Sequence, residues 1–295
     1  MIAARSLRKV HGSFPALDDV SLDIDNGQIF GVIGHNGAGK TTLLKILAGL
    51  IAPTSGSLAI DGIDAVQKPL LLRQTLGYLP EESRLYETMT AESYLAFFGE
   101  IYGLPAAAIA ERRERLLASL ALEADGKKLG ELSKGMKRKV AIARSLIHDP
   151  SLLIYDEPTS GLDPMTSRFV IEYIKGLRRR GKTVVFSAHN LYQVEEICDA
   201  VMILRRGKAV ACGSMDELRE RFGSVTYWIH FRIDDASRLD PAIEAAGSNG
   251  QWTATARETR DLNRIVGAIA ASGGTIERIE SRYPTLEEML VRIGN

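Results

Sequence analysis

The sequence has few cysteines, no long hydrophobic segment and no excess of either charge. Only Cys198 and Cys212 carry thiols, and their spacing does not match a zinc site. The sequence therefore predicts reduced structural cysteines, and neither a disulfide framework nor a zinc centre. No apolar run approaches the roughly 18 residues that a membrane-spanning helix needs, and the N-terminus lacks the basic start and apolar core of a signal peptide. These absences predict a cytosolic chain that reaches a membrane only through a partner.

The charge balance and the length of the chain restrict its expected binding partners and its number of domains. The 37 Lys and Arg residues equal the 37 Asp and Glu residues in number. The chain therefore lacks the electrostatic footprint of a nucleic-acid-binding protein or of one that binds an anionic membrane surface, and no nucleic acid partner is expected. At 295 residues the chain exceeds one average domain. This length predicts one larger domain and a second, smaller one.

What the sequence does have is a glycine-rich loop between an apparent strand and an apparent helix. The segment Gly34-His35-Asn36-Gly37-Ala38-Gly39-Lys40-Thr41-Thr42 follows the apolar run 29–33 and precedes a helical pattern over 43–48. Glycines let successive backbone N–H groups turn around an anion, and the following helix presents the positive end of its dipole. The alternative is a glycine turn that joins the strand to the helix and contains an incidental lysine, but two glycines, a lysine and a Ser/Thr at these spacings seldom occur together by chance.

The loop predicts a nucleotide site that also holds a metal ion. Lys40 would reach the β- and γ-phosphates, and the Thr41 hydroxyl would hold Mg²⁺. The predicted nucleotide contacts within the loop are Asn36, Gly37, Ala38, Gly39, Lys40, Thr41 and Thr42.

The hydrophobic periodicity changes along the first half of the chain. The first eighty residues read as short strands around the loop, with alternation over 17–24 after a turn at Gly12. From about 90 to 147 the spacing becomes helical, which predicts a helical insert at about 84–148. The aromatic residues expected in the core of this insert are Tyr94, Phe97 and Phe98.

Two apolar runs at 152–155 and 183–187 flank an amphipathic stretch over 166–180, with Gly181 just past its end. Strand, helix and strand at this spacing predict a parallel crossover unit, and hence an α/β sheet covered on both faces.

The chain after about residue 220 reads as a separate module. Strict alternation over 225–233 predicts a strand buried on one face, and apolar residues at helical spacing over 262–269 predict a helix. Ile276 begins a predicted last strand, and Pro284 stands where a helix over 286–293 would start. We therefore expect a nucleotide-binding domain over 1–220 and a small α/β domain over 221–295. The small domain contains no phosphate loop, ligand cluster or basic stripe, so the sequence assigns it no part in nucleotide binding.

Two carboxylates follow the apolar run at 152–155. Ligands of open α/β sheets bind at the carboxyl ends of the strands, so Asp156 and Glu157 are candidates for the site. Asp156 would hold Mg²⁺ through its water shell, and Glu157 would polarise the water that attacks the γ-phosphate. The alternative is a strand that ends at the protein surface, where two acidic residues are simply solvated. The phosphate loop about a hundred residues earlier favours a nucleotide hydrolase.

Four further segments give the chain a family resemblance. In sequence order they are Gly77-Tyr78-Leu79-Pro80-Glu81, Leu132-Ser133-Lys134-Gly135-Met136-Lys137-Arg138, Ser160-Gly161-Leu162-Asp163 and Ser187-Ala188-His189. They are similar to the Q-loop, signature, D-loop and switch histidine of the ATP-binding subunits of ABC transporters, and the signature resembles the form found in exporters of the ABC-2 type. The resemblance extends over about residues 1–215. It implies a P-loop NTPase core of the ABC ATPase type with a mixed, mostly parallel sheet.

The resemblance also assigns roles to residues outside the phosphate loop. Ser133 and Gly135 would contact the γ-phosphate held by a second subunit, and Asp163 would belong to the same interface. His189 would contact the γ-phosphate, although a histidine at a strand end is otherwise more often structural. Ser133 could also be simply a helix cap, and the two roles are compatible. The basic run over 137–139 reads as a solvated helix face.

Several positions depart from the family pattern. Glu81 replaces the usual glutamine and brings a carboxylate beside the expected metal, where it could weaken ATP affinity or tighten Mg²⁺ coordination. His11 stands where an aromatic residue, usually tyrosine, stacks on adenine, and imidazole stacks less extensively. Lys134 and Met136 replace the commoner glycine and glutamine of the signature.

The function implied is that of a Mg²⁺-dependent ATPase subunit. It would dimerise head to tail, with a homodimer expected, around two ATP molecules at the cytoplasmic face of the cell membrane, and would drive a separate transmembrane permease subunit. Two alternatives stay open. One is a soluble ABC ATPase that acts on ribosomes or DNA, although such proteins usually carry two cassettes or a long coiled coil. The other is a regulator that binds nucleotide without hydrolysing it.

Overall fold

The structure is a computed structural model that describes residues 1–123, 126–223, 225–233 and 239–294. Its contacts divide the chain into two units, Met1–Met215 and Asp216–Asn295. None of the described helices has both the length and the apolar composition needed to cross a bilayer.

The first unit combines two sheets with helices. Its strands are β1 (Ile2–His11), β2 (Phe14–Ile24), β3 (Ile29–Ile33), β4 (Ser55–Ile60), β5 (Ile63–Asp64), β6 (Leu76–Leu79), β7 (Leu152–Tyr155), β8 (Thr183–Ser187), β9 (Ala200–Arg205) and β10 (Lys208–Ser214). Its helices are α1 (Lys40–Leu47), α2 (Pro69–Thr75), α3 (Ala91–Ile101), α4 (Ala106–Ser119), α5 (Lys134–Leu146), α6 (Pro164–Arg179) and α7 (Leu191–Ile197).

The larger sheet has the strand order β10-β9-β3-β8-β7-β6. The pairs β9-β3, β3-β8, β8-β7 and β7-β6 are parallel, and β10 is antiparallel to β9. Every residue of β3, β7 and β8 is buried, as expected for parallel strands covered on both faces. The crossover from β7 through α6 to β8 confirms the predicted α/β architecture, a mixed and mostly parallel sheet.

The smaller sheet is antiparallel, with the order β2-β1-β4-β5. Strands β1 and β2 are ten and eleven residues long, so the expectation of short strands in this region was wrong. Bulges interrupt the register between them. A single hydrophobic core joins residues of this sheet, such as Leu7 and Leu22, to Leu44 of α1 and to Ile154 of the larger sheet. Helix α1 is therefore anchored from both sides.

The helical insert contains α3, α4 and α5. Helix α3 is capped by Thr90, whose side chain accepts a hydrogen bond from the Ser93 backbone N–H in a capping box. Tyr94 is buried at 1 % exposure and belongs to the core of the insert. Phe98 is partly buried against the same core. Phe97 is 38 % exposed, so its assignment to the core was wrong. It lies on the outer edge of an aromatic cluster that includes Tyr86.

His148 follows α5 and packs against the insert and the larger sheet at once. Its ring stacks on Tyr102 with centroids 3.8 Å apart, and its Nε2 donates a hydrogen bond to the Leu76 carbonyl oxygen at 3.1 Å. Burial lowers the pKa of His148 to about 4. The unfolded chain, with the ordinary value of about 6.5, binds more protons between these two pKa values, so stability rises with pH across that window.

We expect this histidine to lower the free energy of unfolding by about 2–3 kcal/mol as the pH falls from 6.5 to 4. Replacing His148 with phenylalanine keeps the ring stack and removes the titration. Urea unfolding at pH 7 and pH 4.5 should show a smaller pH effect in the variant than in the parent chain. Equal pH effects in the two proteins would contradict the assignment.

The second unit is a sheet with helices. Helix α8 (Met215–Phe222) begins one residue before this unit. The elements after it are β11 (Thr226–Arg232), β12 (Ala245–Ser248), β13 (Gln251–Ala256), α9 (Thr259–Ala271), β14 (Thr275–Arg282) and α10 (Leu286–Gly294). The strands are antiparallel in the order β12-β13-β11-β14. Ile229 and Phe231 of β11 pack with Ile265 and Ile269 of α9 in one core. The structure thus contains the alternating strand, the helix and the last strand that the sequence predicts.

The hairpin of β12 and β13 is absent from the sequence prediction. Ser248 pairs with Gln251 across a two-residue loop formed by Asn249 and Gly250, whose φ angles are 54° and 81°. Two positive φ angles are the requirement of a type I′ turn, and Asn-Gly is its preferred sequence. This dipeptide is the local signal from which the hairpin could have been predicted.

Candidate active site

The glycine-rich loop joins β3 to α1, as predicted. Gly39 precedes α1 with φ 107° and ψ 2°, and no side chain caps this end of the helix. A Cβ on Gly39 would lie 2.6 Å from the Ala16 carbonyl oxygen, so only glycine fits here. The first N–H groups of α1 consequently have no intrahelical partner and face the loop. This arrangement suits an anion such as a phosphate.

Lys40 is the first residue of α1 and is only 7 % exposed. Its Nζ donates to the carbonyl oxygens of Gly34 at 2.8 Å and His35 at 3.4 Å, which holds the side chain back along the loop. Burial lowers the pKa of Lys40, and the carboxylates of Glu157 and Asp156 oppose that shift. The ammonium group therefore lies between the loop and two acids, where it can exchange a carbonyl for a phosphate oxygen.

The two carboxylates occur at the carboxyl end of β7. Asp156 is 1 % exposed, and its Oδ1 accepts a hydrogen bond from Ser187 Oγ at 2.6 Å. The Glu157 backbone N–H donates to the same Ser187 Oγ at 3.0 Å. One serine at the end of β8 thus fixes both acids. Glu157 itself has φ 49°, a conformation that costs a non-glycine residue about 1–3 kcal/mol and that clusters at functional sites.

Glu157 is an acid whose environment favours its neutral form. Burial raises its pKa to about 7, the Lys40 charge opposes the rise, and Asp156 adds to it. Its Oε1 lies 3.2 Å from His189 Nε2, but the two atoms are not aligned as a hydrogen bond, and Oε1 has no hydrogen-bond partner among the described residues. A buried carboxylate oxygen with free acceptor capacity and a pKa near neutrality is suited to accept a proton from water.

A cavity of about 410 Å³ brings most of the predicted nucleotide-site residues together. It is lined by His11, Phe14, Ala16, Asn36, Gly37, Ala38, Gly39, Lys40, Thr41, Thr42, Glu81, Glu157 and His189. His189 is about half exposed, and burial together with the Lys40 charge lowers its pKa. Asp156 is absent from the lining, and its carboxylate is linked to the Glu157 backbone through Ser187.

Phe14 is a cavity residue that the sequence analysis did not single out. It pairs with His11 across the turn between β1 and β2, and its side chain is 62 % exposed. An exposed phenylalanine beside an imidazole provides a larger aromatic surface for a base than His11 alone. The available signal was the aromatic residue just after Gly12, on the second strand of the same hairpin.

The signature residues Ser133 and Gly135 lie outside this cavity. Ser133 is exposed and caps α5, its Oγ accepting a hydrogen bond from the Met136 N–H at 3.2 Å. Asp163 likewise caps α6 and accepts hydrogen bonds from the Thr166 N–H at 2.9 Å and the Thr166 hydroxyl at 2.6 Å. One chain therefore does not bring its own signature and phosphate loop into one cavity.

Arg138 contradicts the prediction of a solvated basic face over 137–139. Its side chain is only 6 % exposed, and it donates hydrogen bonds to the backbone carbonyls of Pro80, Glu81 and Glu157. Lys137 is partly buried and donates to the Gly130 carbonyl oxygen. The run of three basic residues does not indicate that Arg138 is buried, because its burial depends on how α5 packs against two loops that are distant in sequence.

Comparison with protein-family models gives two matches along the chain. A model described as "ABC transporter" matches residues 17–160, and one described as "ATP-binding protein DrrA1-3-like, C-terminal domain" matches residues 213–292. The ABC transporter ATP-binding protein NatA of Bacillus subtilis is 42 % identical over 207 residues, which cover 70 % of this chain and 84 % of NatA. The Nod factor export ATP-binding protein I of Cupriavidus metallidurans is 38 % identical over 220 residues, covering 74 % and 72 % of the two chains.

Solved structures show the same relationship. The structure of an ATP-binding subunit of an ABC transporter superposes with a TM-score of 0.70 at 34 % identity and covers 75 % of this chain and 93 % of that one. The dimeric cassette MJ0796 in a post-hydrolysis state with ADP and Pi has a TM-score of 0.67 at 26 % identity, with coverage of 73 % and 99 %. With the phosphate loop and Glu157 in one cavity, these likenesses show that the chain belongs to the ABC transporter family as an ATP-binding, ATP-hydrolysing subunit.

Proposed function

We propose that this chain powers an exporter of the ABC-2 type, by closing head to tail with a second ATP-binding subunit and driving a separate transmembrane permease. The observation that carries the proposal is the incomplete site. The cavity over the phosphate loop contains the base candidate and the switch histidine, but not Ser133 or Gly135. A second copy that supplies these residues would complete the contacts to the γ-phosphate.

Each residue then has a defined role in hydrolysis. Lys40 and the free N–H groups of α1 bind the β- and γ-phosphates, and His189 contacts the γ-phosphate. Glu157 accepts a proton from the attacking water through its unpartnered oxygen. Ser133 and Gly135 of the second subunit close over the γ-phosphate, with Asp163 at the same interface. The nucleotide base rests against His11 and Phe14.

The donors around Lys40 suit Mg²⁺. Thr41 and Glu81 line the cavity, and the buried Asp156 carboxylate accepts a hydrogen bond from Ser187, which also holds the Glu157 backbone N–H. Mg²⁺ prefers oxygen ligands and keeps several waters, so it is held by one or two carboxylates together with phosphate oxygens. A bound Mg²⁺ would neutralise charge on the β- and γ-phosphates. Thr41 and Asp156 would orient it, and Glu81 would add a second carboxylate.

The exporter assignment rests on the signature form and on the relatives. The Nod factor export ATP-binding protein I is named for export, and its match covers 74 % of this chain. We assign the ATP-binding domain to residues 1–220, with a helical insert at about 84–148, and an accessory α/β domain to 221–295. Energy from closure around two ATP molecules would reach the transported substrate through the permease at the cytoplasmic face of the membrane.

A pull-down from detergent-solubilised membranes tests this proposal. The tagged chain should recover a polytopic membrane protein, and the complex should hydrolyse Mg-ATP faster than the chain alone. Recovery of active enzyme only with ribosomes or nucleic acid would replace the proposal with a soluble ABC ATPase. A chain that binds ATP without turnover in either setting would replace it with a regulator. The Gln variant of Glu157 serves as the control for contaminating ATPases.

A further inference from the structure

Arg138 connects three segments that come from distant parts of the chain. From α5, its Nη1 donates to the Pro80 carbonyl oxygen at 2.8 Å, and its Nη2 donates to those of Glu81 at 2.6 Å and Glu157 at 3.2 Å. A longer contact of 3.5 Å joins Nη1 to Ser83 Oγ. The planar guanidinium can serve several acceptors at once because its N–H donors point in fixed directions.

The partners of this buried cation are unusual. Among the ion pairs of the described residues none includes Arg138, although the carboxylates of Glu81, Asp156 and Glu157 all contribute a favourable charge. The guanidinium bonds backbone carbonyls instead. A side chain that served only to neutralise an acid would bond the carboxylate, so the contacts here fix the course of the backbone.

The hydrogen bonds from Arg138 to backbone carbonyls matter most for the backbone of Glu157. The residue has φ 49°, and its peptide groups are held on both sides. Its N–H donates to Ser187 Oγ at 3.0 Å, and its carbonyl oxygen accepts from Arg138 and from the Ser160 N–H at 3.1 Å. Loss of the Arg138 bond leaves this carbonyl held by the Ser160 N–H alone, so the peptide can shift more easily toward an unstrained conformation, and that shift would move the Glu157 carboxylate.

We propose that Arg138 is a positioning residue for ATP hydrolysis, which holds the Glu157 carboxylate in place and links it to the backbone of Pro80 and Glu81. The inference rests on the proposed role of Glu157 as the base. Since Arg138 lies on α5, the helix that Ser133 caps, a movement of either this helix or the segment 80–83 changes the support of Glu157. The rate of ATP hydrolysis then depends on the positions of both segments.

A positioning role predicts a loss of turnover without a matching loss of affinity. Replacing Arg138 with methionine should lower kcat by about 10- to 100-fold, because misplacing a reacting group by about 1 Å has an effect of this size. The KM for Mg-ATP and the binding of a fluorescent ATP analogue should change by less than about threefold. The Arg138→Lys variant, which can bond one of the carbonyls, should recover part of the turnover.

Arg112→Met is the matched control. Arg112 also donates from a helix to a backbone carbonyl, that of Ile147 at 3.1 Å, but it lies in the insert and away from the cavity. This variant should retain the kcat of the parent chain. If Arg138→Met does not fold, Arg138→Lys provides the same comparison of kcat with affinity.

A double mutant separates failure of this inference from failure of the proposed function. In single-turnover measurements Arg138→Lys should slow the parent chain but add less than about twofold in the Glu157→Gln background, because the base it positions is gone. Additive losses, or a kcat of Arg138→Met within twofold of the parent, would overturn the positioning role. A Glu157→Gln variant with unchanged turnover would instead overturn the proposed function itself.

Discussion

Replacing Glu157 with glutamine is expected to lower kcat for ATP hydrolysis by about 10²- to 10⁴-fold, the range that a general base contributes. Glutamine has the same shape, so the backbone contacts to Ser187 and Arg138 should persist. It lacks the basic oxygen that accepts the proton of the attacking water. Phosphate release at saturating Mg-ATP measures the loss, and equilibrium binding of ATP should stay within a few-fold of the parent.

The same variant should accumulate as an ATP-bound dimer, because closure no longer ends in hydrolysis. Size-exclusion chromatography with Mg-ATP should shift the Glu157→Gln chain to about twice the mass of the nucleotide-free chain, and ADP should reverse the shift. Glu114→Gln is the control, since Glu114 is an exposed acid of α4 remote from the cavity. Turnover and elution identical to those of the parent chain would rule out Glu157 as the base.

Replacing Gly39 with alanine is expected to lower the free energy of unfolding by about 2–5 kcal/mol and to abolish ATP binding. The residue has φ 107°, which strains any side chain, and its new Cβ would lie 2.6 Å from the Ala16 carbonyl oxygen and 2.9 Å from Leu17 Cδ2. Backbone strain and overpacking each cost about 1–3 kcal/mol. Since backbone and not only a flexible side chain is in the way, the loop itself has to move.

Gly37 in the same loop provides the comparison. It has φ 76°, but a Cβ there would meet no protein atom within 4 Å. Gly37→Ala should therefore show only the strain of a left-handed residue, about 1–2 kcal/mol. Urea unfolding without nucleotide measures both variants. Equal losses at the two positions would show that the close approach to Ala16 does not control the loop.

The sequence predicts well those parts of the site that consecutive residues form. The phosphate loop, with Lys40 and Thr41, and the acid pair Asp156 and Glu157 are read from short segments flanked by a strand or a helix. Their position at one sheet edge follows from the parallel crossover rule. The cavity therefore contains the loop residues, Glu157 and His189 as expected.

The parts that the sequence does not predict depend on contacts between distant segments. Arg138 is buried because α5 meets the backbone at Pro80 and at Glu157, and nothing within the basic run encodes that meeting. Phe97 follows the same helical spacing as the buried Tyr94 but lies at the edge of the insert core. Hydrophobic periodicity predicts which face of a helix is apolar. How much of that face other segments cover depends on the tertiary structure.

The exposed side of α3 has a practical consequence for handling the isolated subunit. Phe97 and Ile101 are 38 % and 60 % exposed, and Tyr86, whose ring contacts that of Phe97, is 52 % exposed. The chain has a formal net charge of zero at pH 7. Mutual repulsion between molecules is weakest at that pH, while aromatic and aliphatic surface remains available for self-association. Precipitation of the purified subunit should be worst near neutrality, and moving the storage buffer away from it should restore colloidal stability.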